Sequence, residues 1–552
     1  MSRTESTTVP VRDAERAPRR AVRAAGTATG PSRYLGTLGP GLVLLVATIL
    51  RFVNIGSPGV LVFDETFYVK DAWTLVHLGY EANWPGTDAA GKTLDVNGLF
   101  QGGQVDVFTH TAEYVAHPPL GKWIIGLGEL LAGGAQNPVG WRVGVAVIGV
   151  LAVALLMLVA HRMFQTPLVT LVAGGLMAID NQAIVLSRIS LLDNMVMFFA
   201  LAGFACVLED RAWAERRFAL WLMRRGGSIG SWGPTLPWRP WLLGAGVAFG
   251  ACTAVKWSGL YVAAFFIVYL VGADMLLRRR AGFRFWYSAG LLKQAWAIVL
   301  SIVPIGLATY LASWTGWFVT SGGYNRHWVE DFPSQRFTGL LAWVPAPLQN
   351  LWSWHASIYA FHTGLDTPHP YSAPAILWPL IARPTSMFWD PASMSGGNGC
   401  RFGTCASAIT DIPNPLIWYA AWAAAVYLVV RLVRRREWQA GLLLVGIAAG
   451  WVPWLLYPKR TMFFFYTIEF EPYLILCLAA VIGLMVMRPA AVSSPDELIS
   501  AEARHGVTVR RGVVIGFLAL AVVVSAFFFP LDTGMQTPYW FWHIHMWSPT
   551  WI

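Results

Sequence analysis

The sequence predicts an all-α polytopic membrane protein, on the evidence of its composition and its hydrophobic pattern. Hydrophobic residues make up 56% of the 552 residues and charged residues only 13%, a balance that soluble domains of this length do not show. Mean hydropathy is +0.50. Apolar runs near the ~20 residues that a membrane-crossing helix needs recur along the chain, which predicts about eleven transmembrane helices and no barrel. The predicted spans are 36–54, 140–160, 167–183, 190–208, 241–257, 259–276, 295–315, 414–433, 439–457, 462–486 and 512–530.

The segments between and beside the spans are assigned in the same way. Residues 1–34 are rich in Arg, Ala, Thr and Ser without an apolar run, which indicates a disordered basic tail and not a cleaved signal peptide. The segment 119–133 is too short to span, so we expect a helix in the membrane interface. Two long stretches, 55–138 and 316–413, separate spans, and a Trp-rich tail occupies 531–552.

The distribution of Lys and Arg predicts the orientation. Short cytoplasmic loops retain positive charge, and the clusters within 12–23, 211–225, 278–284 and 431–436 fall on one side when the spans are threaded in order. We therefore expect a cytoplasmic N-terminus, with both long stretches and the Trp-rich tail outside the cytoplasmic membrane. The net charge of +10 needs no nucleic-acid partner, because this bias and the attraction to anionic membrane lipid account for it.

Two of the five cysteines share a loop on the predicted outer side. Cys400 and Cys405 lie there between glycines, which favours a disulfide in an oxidising compartment. A metal site is the weaker alternative, because no histidine adjoins them. His355, His362 and His369 recur at intervals of seven residues, which is not a local zinc-ligand spacing. We expect no metal site.

Adjacent carboxylates, Asp64 and Glu65, follow the first span on the predicted outer side. A solvated pair of loop acids is the plain alternative, and position alone favours neither interpretation. A carboxylate at the lipid boundary can also act as a general base that takes a proton from an attacking hydroxyl. Charges elsewhere in the spans shift the balance toward this second interpretation.

Those charges recur at the outer ends of the predicted spans. For any one of them, snorkelling to the headgroups is the commoner explanation, but a single polar cavity that opens outward explains the whole set more economically. Arg and Lys there could neutralise a lipid-linked phosphate as it departs. Without a glycine-rich nucleotide loop, an activated donor must arrive through the membrane. The cationic candidates are Arg142, Arg188, Lys256 and Arg460.

Several short strings, taken in order, carry a resemblance to a known family. Their order and spacing resemble the bacterial branch of the protein O-mannosyltransferase family over nearly the whole chain after the N-terminal tail. That family consists of membrane glycosyltransferases of the GT-C fold class, which use polyprenyl-phosphate sugars. The strings are Phe63-Asp64-Glu65, His117-Pro118-Pro119-Leu120-Gly121-Lys122, Ser187-Arg188-Ile189-Ser190-Leu191-Leu192-Asp193-Asn194, Lys256-Trp257-Ser258-Gly259-Leu260, His369-Pro370-Tyr371-Ser372, Trp378-Pro379-Leu380 and Arg460-Thr461-Met462-Phe463.

The resemblance implies a reaction and its participants. Residues 35–530 would form a GT-C catalytic domain that transfers mannose from polyprenyl-phosphate mannose to Ser or Thr hydroxyls of exported proteins, by an inverting single displacement. Membrane lipid and the export channel are implied partners. No cofactor is expected beyond the lipid-linked donor, because Lys and Arg can neutralise the phosphate.

Site roles carry over by position. We expect Asp64 to act as the base, and Glu65 to position the acceptor or share that role. The four cationic candidates would bind the donor phosphate. The remaining substrate-site candidates are His117 and Lys122, expected to shape the floor of the site, Asp193, which either faces the site or packs between helices, and His369 and Tyr371.

One departure and two alternatives stay open. The stretch 316–413 is too short to hold the β-trefoil domain that eukaryotic family members carry in their large outer loop. A related GT-C enzyme that moves its sugar to lipid or polysaccharide would share the acids and cations. A lipid or sugar transporter would also place charges in spans, but the paired broken helices of transporter repeats are not evident.

Overall fold

Helices account for most of the chain that the structure describes. The computed structural model describes residues 36, 38–88, 91–224, 231–397, 399–486 and 501–552. The predicted disordered tail, 1–34, lies outside these residues. The helices are α1 (Gly39–Phe52), α2 (Glu65–Leu78), α3 (Val96–Gln101), α4 (Leu120–Leu131), α5 (Pro138–Phe164), α6 (Pro167–Ile179), α7 (Asn181–Val185), α8 (Asp193–Arg224), α9 (Pro240–Val255), α10 (Ser258–Arg280), α11 (Trp286–Ala289), α12 (Ala295–Ser313), α13 (Thr315–Val319), α14 (Trp328–Asp331), α15 (Ala346–Gly364), α16 (Pro391–Met394), α17 (Pro415–Arg435), α18 (Trp438–Trp451), α19 (Glu471–Val486), α20 (Ala501–Thr533) and α21 (Tyr539–His543).

Shorter elements connect these helices. A π-helical turn, Gly290–Gln294, joins α11 to α12. The 3₁₀ turns are Pro333–Gln335, Gly339–Leu341, Ala375–Leu380, Val452–Leu456, Phe464–Glu469 and Pro549–Trp551. The strands are β1 (Thr385–Trp389), β2 (Cys405–Ala406), β3 (Ala408–Asp411) and β4 (Thr537–Pro538).

Every predicted span coincides with a helix, but not every helix is long and apolar. By length and composition, 6 helical stretches among the described residues could cross a membrane, and α1, α6, α9 and α19 are shorter apolar helices. The predicted span 190–208 coincides with α8, which carries Glu209 and Asp210 halfway along its length. The predicted helical membrane fold is confirmed, with only a few short strands beside the helices, whereas the count of about eleven spans stays a prediction.

Two predicted spans begin or end differently in the structure. The span predicted over 167–183 breaks at Asp180, whose backbone is extended and whose carboxylate caps α7. The span predicted from 462 starts as a helix only at Glu471, because Pro472 lies in the first helical turn, where its missing N–H costs nothing. A 3₁₀ turn precedes it and carries Glu469.

The bundle is held together by α5 and by close helix contacts. Helix α5 packs against α1, α4, α6 and α8, and α9 packs against both α8 and α12. Where α9 meets α12, a Cβ on Gly250 would lie 2.5 Å from the carbonyl oxygen of Gly306. Only small residues allow the two backbones to approach this closely.

The predicted interfacial segment forms α4 and presents two different faces. Lys122 and Glu129 are buried, whereas Leu127, Leu130 and Leu131 on the other face are exposed. The buried face packs against α2 and α5. An amphipathic helix of this kind suits a membrane interface.

The second long stretch and the Trp-rich tail pack together. Strand β1 pairs with β3, and β2 pairs with β4, which belongs to the tail; both pairs are antiparallel. The Trp551 indole donates a hydrogen bond of 2.7 Å to the carbonyl oxygen of Ile381. Cys400 and Cys405 are joined by a disulfide beside this junction. The described part of 316–413 contains helices and these short strands, without a β-trefoil.

Candidate active site

Asp64 lies at a strained turn between α1 and α2. Phe63 has a positive φ of 48°, a conformation that costs energy for a residue with a side chain and that often marks a functional site. Its ring packs edge-on against Phe463 and Phe465. The Asp64 carboxylate does not cap α2 and accepts a hydrogen bond of 3.4 Å from the hydroxyl of Tyr68. The carboxylate is therefore available for other chemistry.

The surroundings of Asp64 favour a general base. Burial raises the pKa of its carboxyl to about 6, opposed by the positive charge of Lys256 and supported by the negative charge of Asp193. An aspartate with this pKa is still mostly ionised at pH 7 but accepts a proton more readily than a free one. Asp64 is thus within electrostatic reach of Lys256, one of the residues predicted to bind the donor phosphate.

The neighbouring carboxylate, Glu65, points the other way and is fully buried. It forms a two-pronged pair with the Arg142 guanidinium, with N–O distances of 2.8 Å to each oxygen. The backbone N–H groups of Val62 and Ser190 donate to the same carboxylate. With every oxygen occupied, Glu65 has no contact to offer an acceptor, so we revise its expected role from catalysis to positioning Asp64.

Arg142 has no free donor for a phosphate, and both terminal nitrogens of Arg188 donate to backbone carbonyls. The remaining N–H groups of Arg142 donate to backbone carbonyls of the turn between α1 and α2. Arg188 donates to four backbone carbonyls at the end of α1 and just after it. Both side chains pair with backbone carbonyl oxygens that would otherwise lack a hydrogen-bond partner. We therefore revise their expected role from phosphate binding to a structural one.

Lys256 meets Asp193 where α9, α10 and α8 converge. The Lys256 ammonium donates to a carboxylate oxygen of Asp193 at 2.8 Å and lies 5.4 Å from the centre of the Tyr466 ring. The tight turn from α9 into α10 holds it there: a Cβ on Gly259 would lie 2.4 Å from the backbone nitrogen of Thr253. Asp193 bonds to a residue of a neighbouring span and also lines the cavity described below, so both alternatives for it stay open.

Arg460 contacts His362, one of two stacked histidines. His362 stacks on His117, with ring centroids 5.4 Å apart. His362 Nε2 lies 2.8 Å from the carbonyl oxygen of Ala116, so it carries the proton and leaves Nδ1 to accept from an Arg460 N–H at 3.5 Å. Burial lowers the pKa of His362 to about 4 and that of His117 well below its ordinary value. Both rings are therefore neutral at pH 7.

A cavity of about 200 Å³ lies beside Lys256, Asp193, His362 and Arg460. It brings together Lys256, Arg460 and Asp193 in a wall of aromatic rings. Two cations facing one hollow could bind a phosphate, and the aromatic rings could contact a sugar. The lining residues are Asp193, Lys256, Trp257, Ser258, Leu260, Tyr261, Tyr359, His362, Thr363, Trp454, Tyr457, Arg460, Tyr466 and Glu469.

An apolar groove continues from the cavity between α9, α10, α12 and α15. Its volume is about 770 Å³, and it shares Trp257, Leu260 and Tyr359 with the cavity. Leu260 and Leu307, which also lines it, are more than half exposed. A hydrocarbon chain could therefore lie in the groove while its polar end reaches the cations.

Four predicted substrate residues, His117, Lys122, His369 and Tyr371, are not among the residues that line the cavity, and neither is Asp64. Lys122 is buried and pairs with Glu81 and, at 3.8 Å, with Asp71, so it ties α4 to α2 and does not form a cavity floor. His369 packs edge-on against Phe63, one residue from Asp64. Tyr371 lies under the Arg383 guanidinium, 4.8 Å away, on the loop surface.

Sequence reasoning missed Glu469 and His362 as site residues. Glu469 is buried and lines the cavity, and a carboxylate within a predicted apolar span is a functional candidate by default. That rule, applied to 462–486, could have found it. His362 had no such signal, because only the packing of α15 against 114–117 brings it to Arg460. No group of three or more His, Cys, Asp or Glu among the described residues is placed to hold a metal ion.

Comparison with known proteins identifies the family. A family model described as dolichyl-phosphate-mannose-protein mannosyltransferase matches residues 114–320, and one described as the C-terminal four-transmembrane region of protein O-mannosyltransferase matches residues 347–551. A polyprenol-phosphate-mannose–protein mannosyltransferase of Mycobacterium tuberculosis is 32% identical, over 95% of this chain and 93% of its own. One of Corynebacterium glutamicum is 29% identical, over 92% of each chain.

A solved structure shares the fold. The Saccharomyces cerevisiae protein O-mannosyltransferase Pmt1-Pmt2 complex, solved with the sugar donor bound, contains a chain that matches with a TM-score of 0.65 at 14% identity, over 97% of this chain and 94% of that one. This likeness confirms the expected GT-C fold class. With two family models and relatives that match almost from end to end, the chain belongs to the protein O-mannosyltransferase family.

Proposed function

We propose that this protein transfers mannose from polyprenyl-phosphate mannose to Ser or Thr hydroxyls of exported polypeptides, on the outer side of the cytoplasmic membrane. The observation that carries the proposal is the placement of Asp64 near Lys256, which shares a cavity with Arg460. Family membership and the printed names of the relatives supply the sugar and the protein acceptor.

Each group has one task in the proposed reaction. Asp64 accepts the proton of the acceptor hydroxyl as its oxygen attacks the anomeric carbon of mannose. The bond from that carbon to the phosphate oxygen breaks, and polyprenyl phosphate leaves with the electron pair. Lys256 and Arg460 stabilise the negative charge that develops on the phosphate. Attack opposite the leaving group inverts the anomeric centre. Because the two cations neutralise the phosphate, we propose that no metal is obligatory.

The apolar groove supports a lipid-linked donor. It meets the cavity at Trp257, so a phosphate held by Lys256 and Arg460 would place the attached hydrocarbon chain along exposed apolar side chains of α10 and α12. A soluble nucleotide sugar would gain nothing from such a surface. Burial of apolar area in the groove would instead favour a polyprenyl chain.

A transfer assay separates the candidate functions. Membranes that contain the protein would be supplied with labelled polyprenyl-phosphate mannose and a Thr-rich peptide. We expect label in the peptide. Label in lipid or glycan would instead support a different GT-C transferase, and label that stays in the donor while the protein is folded would oppose both.

Substitution of Asp64 tests the mechanism. Asp64→Asn keeps the shape of the side chain but cannot accept the proton, so we expect turnover to fall by about 10²–10⁴-fold while donor binding is retained. Asp331→Asn, an exposed acid of 316–413, is the matched control and should keep full activity. Near-normal turnover by Asp64→Asn would remove Asp64 as the base.

A further inference from the structure

A second polar cavity lies at the opposite end of the spans from the candidate active site. It has a volume of about 580 Å³ and lies between α8, α10, α17 and α18. Helix α10 runs for 23 residues from Ser258, which lines the active-site cavity, to Arg280, which lines the second one. At about 1.5 Å per residue that distance is close to the thickness of a bilayer, so the two cavities lie at different membrane faces.

The second cavity is strongly basic. Arg211, Arg279, Arg280 and Arg436 line it, against a single carboxylate, Glu215. Since Glu215 pairs with Arg211 at 2.5 Å, three guanidinium charges are left without a carboxylate among the lining residues. A concentration of like charge in a hollow is unfavourable unless an anion or water offsets it.

The arginines differ in how they are held. The Arg211 guanidinium lies 4.4 Å from the centre of the Trp438 ring, and its side chain is only 12% exposed, so it forms a fixed wall. Arg280 and Arg436 are exposed and make no side-chain hydrogen bond or ion pair with any residue that the structure describes. Their N–H groups are available to a ligand.

The rest of the cavity is apolar and adjoins a lipid-facing surface. Leu276, Leu277 and Leu432 line it together with the ring of Trp438. Leu276 is 50% exposed, and Val433 on the neighbouring turn is 73% exposed. A ligand that combines an anionic head with an apolar tail would match both parts.

We propose that this cavity binds the phosphate headgroup of an anionic membrane phospholipid in the leaflet opposite the active site. Arginine N–H groups match the geometry of phosphate oxygens, and basic pockets between transmembrane helices are suited to such headgroups. The acyl chains would lie along α10 and α17. This site is separate from the donor site and does not depend on the proposed reaction.

Lipid binding by the full-length protein in detergent tests the proposal. Phosphatidylglycerol retained on the protein would be measured by native mass spectrometry, with phosphatidylcholine as the neutral comparison. The variant Arg279→Gln/Arg280→Gln/Arg436→Gln should bind phosphatidylglycerol at least about tenfold more weakly and phosphatidylcholine as before. The control Arg216→Gln/Arg217→Gln/Arg434→Gln removes the same charge from exposed arginines outside the cavity and should retain phosphatidylglycerol binding.

Several other results would overturn the proposed lipid site. An equal loss in the control would mean that phosphatidylglycerol binds by surface charge alone, and this would overturn the site. Complete displacement of phosphatidylglycerol by inorganic phosphate would identify a simple anion site and overturn the lipid assignment. If the triple variant does not fold, Arg280→Gln and Arg436→Gln singly should each weaken binding, and unchanged binding in both would also overturn it.

Discussion

At the residue scale, the adjacent acids Asp64 and Glu65 lie in different surroundings. Glu65 turns inward to Arg142 and is saturated, whereas Asp64 keeps a free oxygen near Lys256. The sequence could identify the pair but not distinguish its members, because both are carboxylates in the same turn. The difference arises because Asp64 and Glu65 are consecutive residues at the start of α2, where neighbouring side chains point in different directions.

The pKa of Asp64 predicts the acid side of the pH profile. The base acts only when ionised, and burial raises its pKa to about 6. We therefore expect kcat/KM to be lost as the pH falls through about 6 and to be full above about 7. In Lys256→Met the midpoint should move to higher pH, because the positive charge that favours the ionised form is gone. An unchanged midpoint in that variant would contradict the electrostatic influence of Lys256 on Asp64.

Arg460 should contribute to donor binding and not to acceptor binding. Loss of charged hydrogen bonds to a phosphate in Arg460→Ala should raise the KM for the lipid-linked donor by about 10–100-fold and leave the KM for the peptide nearly unchanged. Lys459→Ala removes an exposed charge next to it and is the matched control. An equal rise of both KM values would indicate a structural role for Arg460.

At the element scale, buried arginines fix how the helices meet around the site. Arg142 of α5 holds Glu65 at the start of α2, and Arg188 binds the carboxyl end of α1. These contacts place the turn that carries Asp64 against α8. The sequence predicted their position at the outer ends of the spans, but phosphate and backbone carbonyls attract the same guanidinium, so their partners could not be predicted.

Breaking the pair of Arg142 and Glu65 should destabilise the protein more than removing it. Arg142→Met leaves a buried carboxylate without a partner, which we expect to lower the free energy of unfolding by about 3–5 kcal/mol. In Glu65→Leu/Arg142→Met no charge is stranded, so much of that stability should return. Thermal unfolding in detergent measures both. If the double variant is no more stable than the single one, the cost lies elsewhere than in the stranded charge.

At the scale of the whole molecule, the two ends of the bundle carry different chemistry. One end holds the acids, the aromatic cavity and the disulfide-bearing loop, and the other holds the exposed arginine clusters. The multi-pass helical architecture is confirmed, and its orientation follows from the positive-inside rule as a prediction.

Labelling of intact cells tests that orientation. After mild reduction, a membrane-impermeant maleimide should label Cys400, which is partly exposed, because its loop is expected outside. Arg216→Cys, placed at the arginine-rich end, should be labelled only after the membrane is permeabilised. Labelling of Arg216→Cys in intact cells, with the loop cysteines protected, would reverse the topology.

Composition and apolar run length were enough to assign the class of the protein, because neither depends on a distant contact. The sequence also indicated the family, since the motifs keep their order, and it marked Asp64, Lys256 and Arg460 as polar residues where polar residues are costly. Tertiary structure alone decided which of the buried charges face a cavity. Arg142, Arg188 and Lys122 pair with residues from distant segments. In the sequence, a charge that has such a partner looks the same as a charge that is free to bind a substrate.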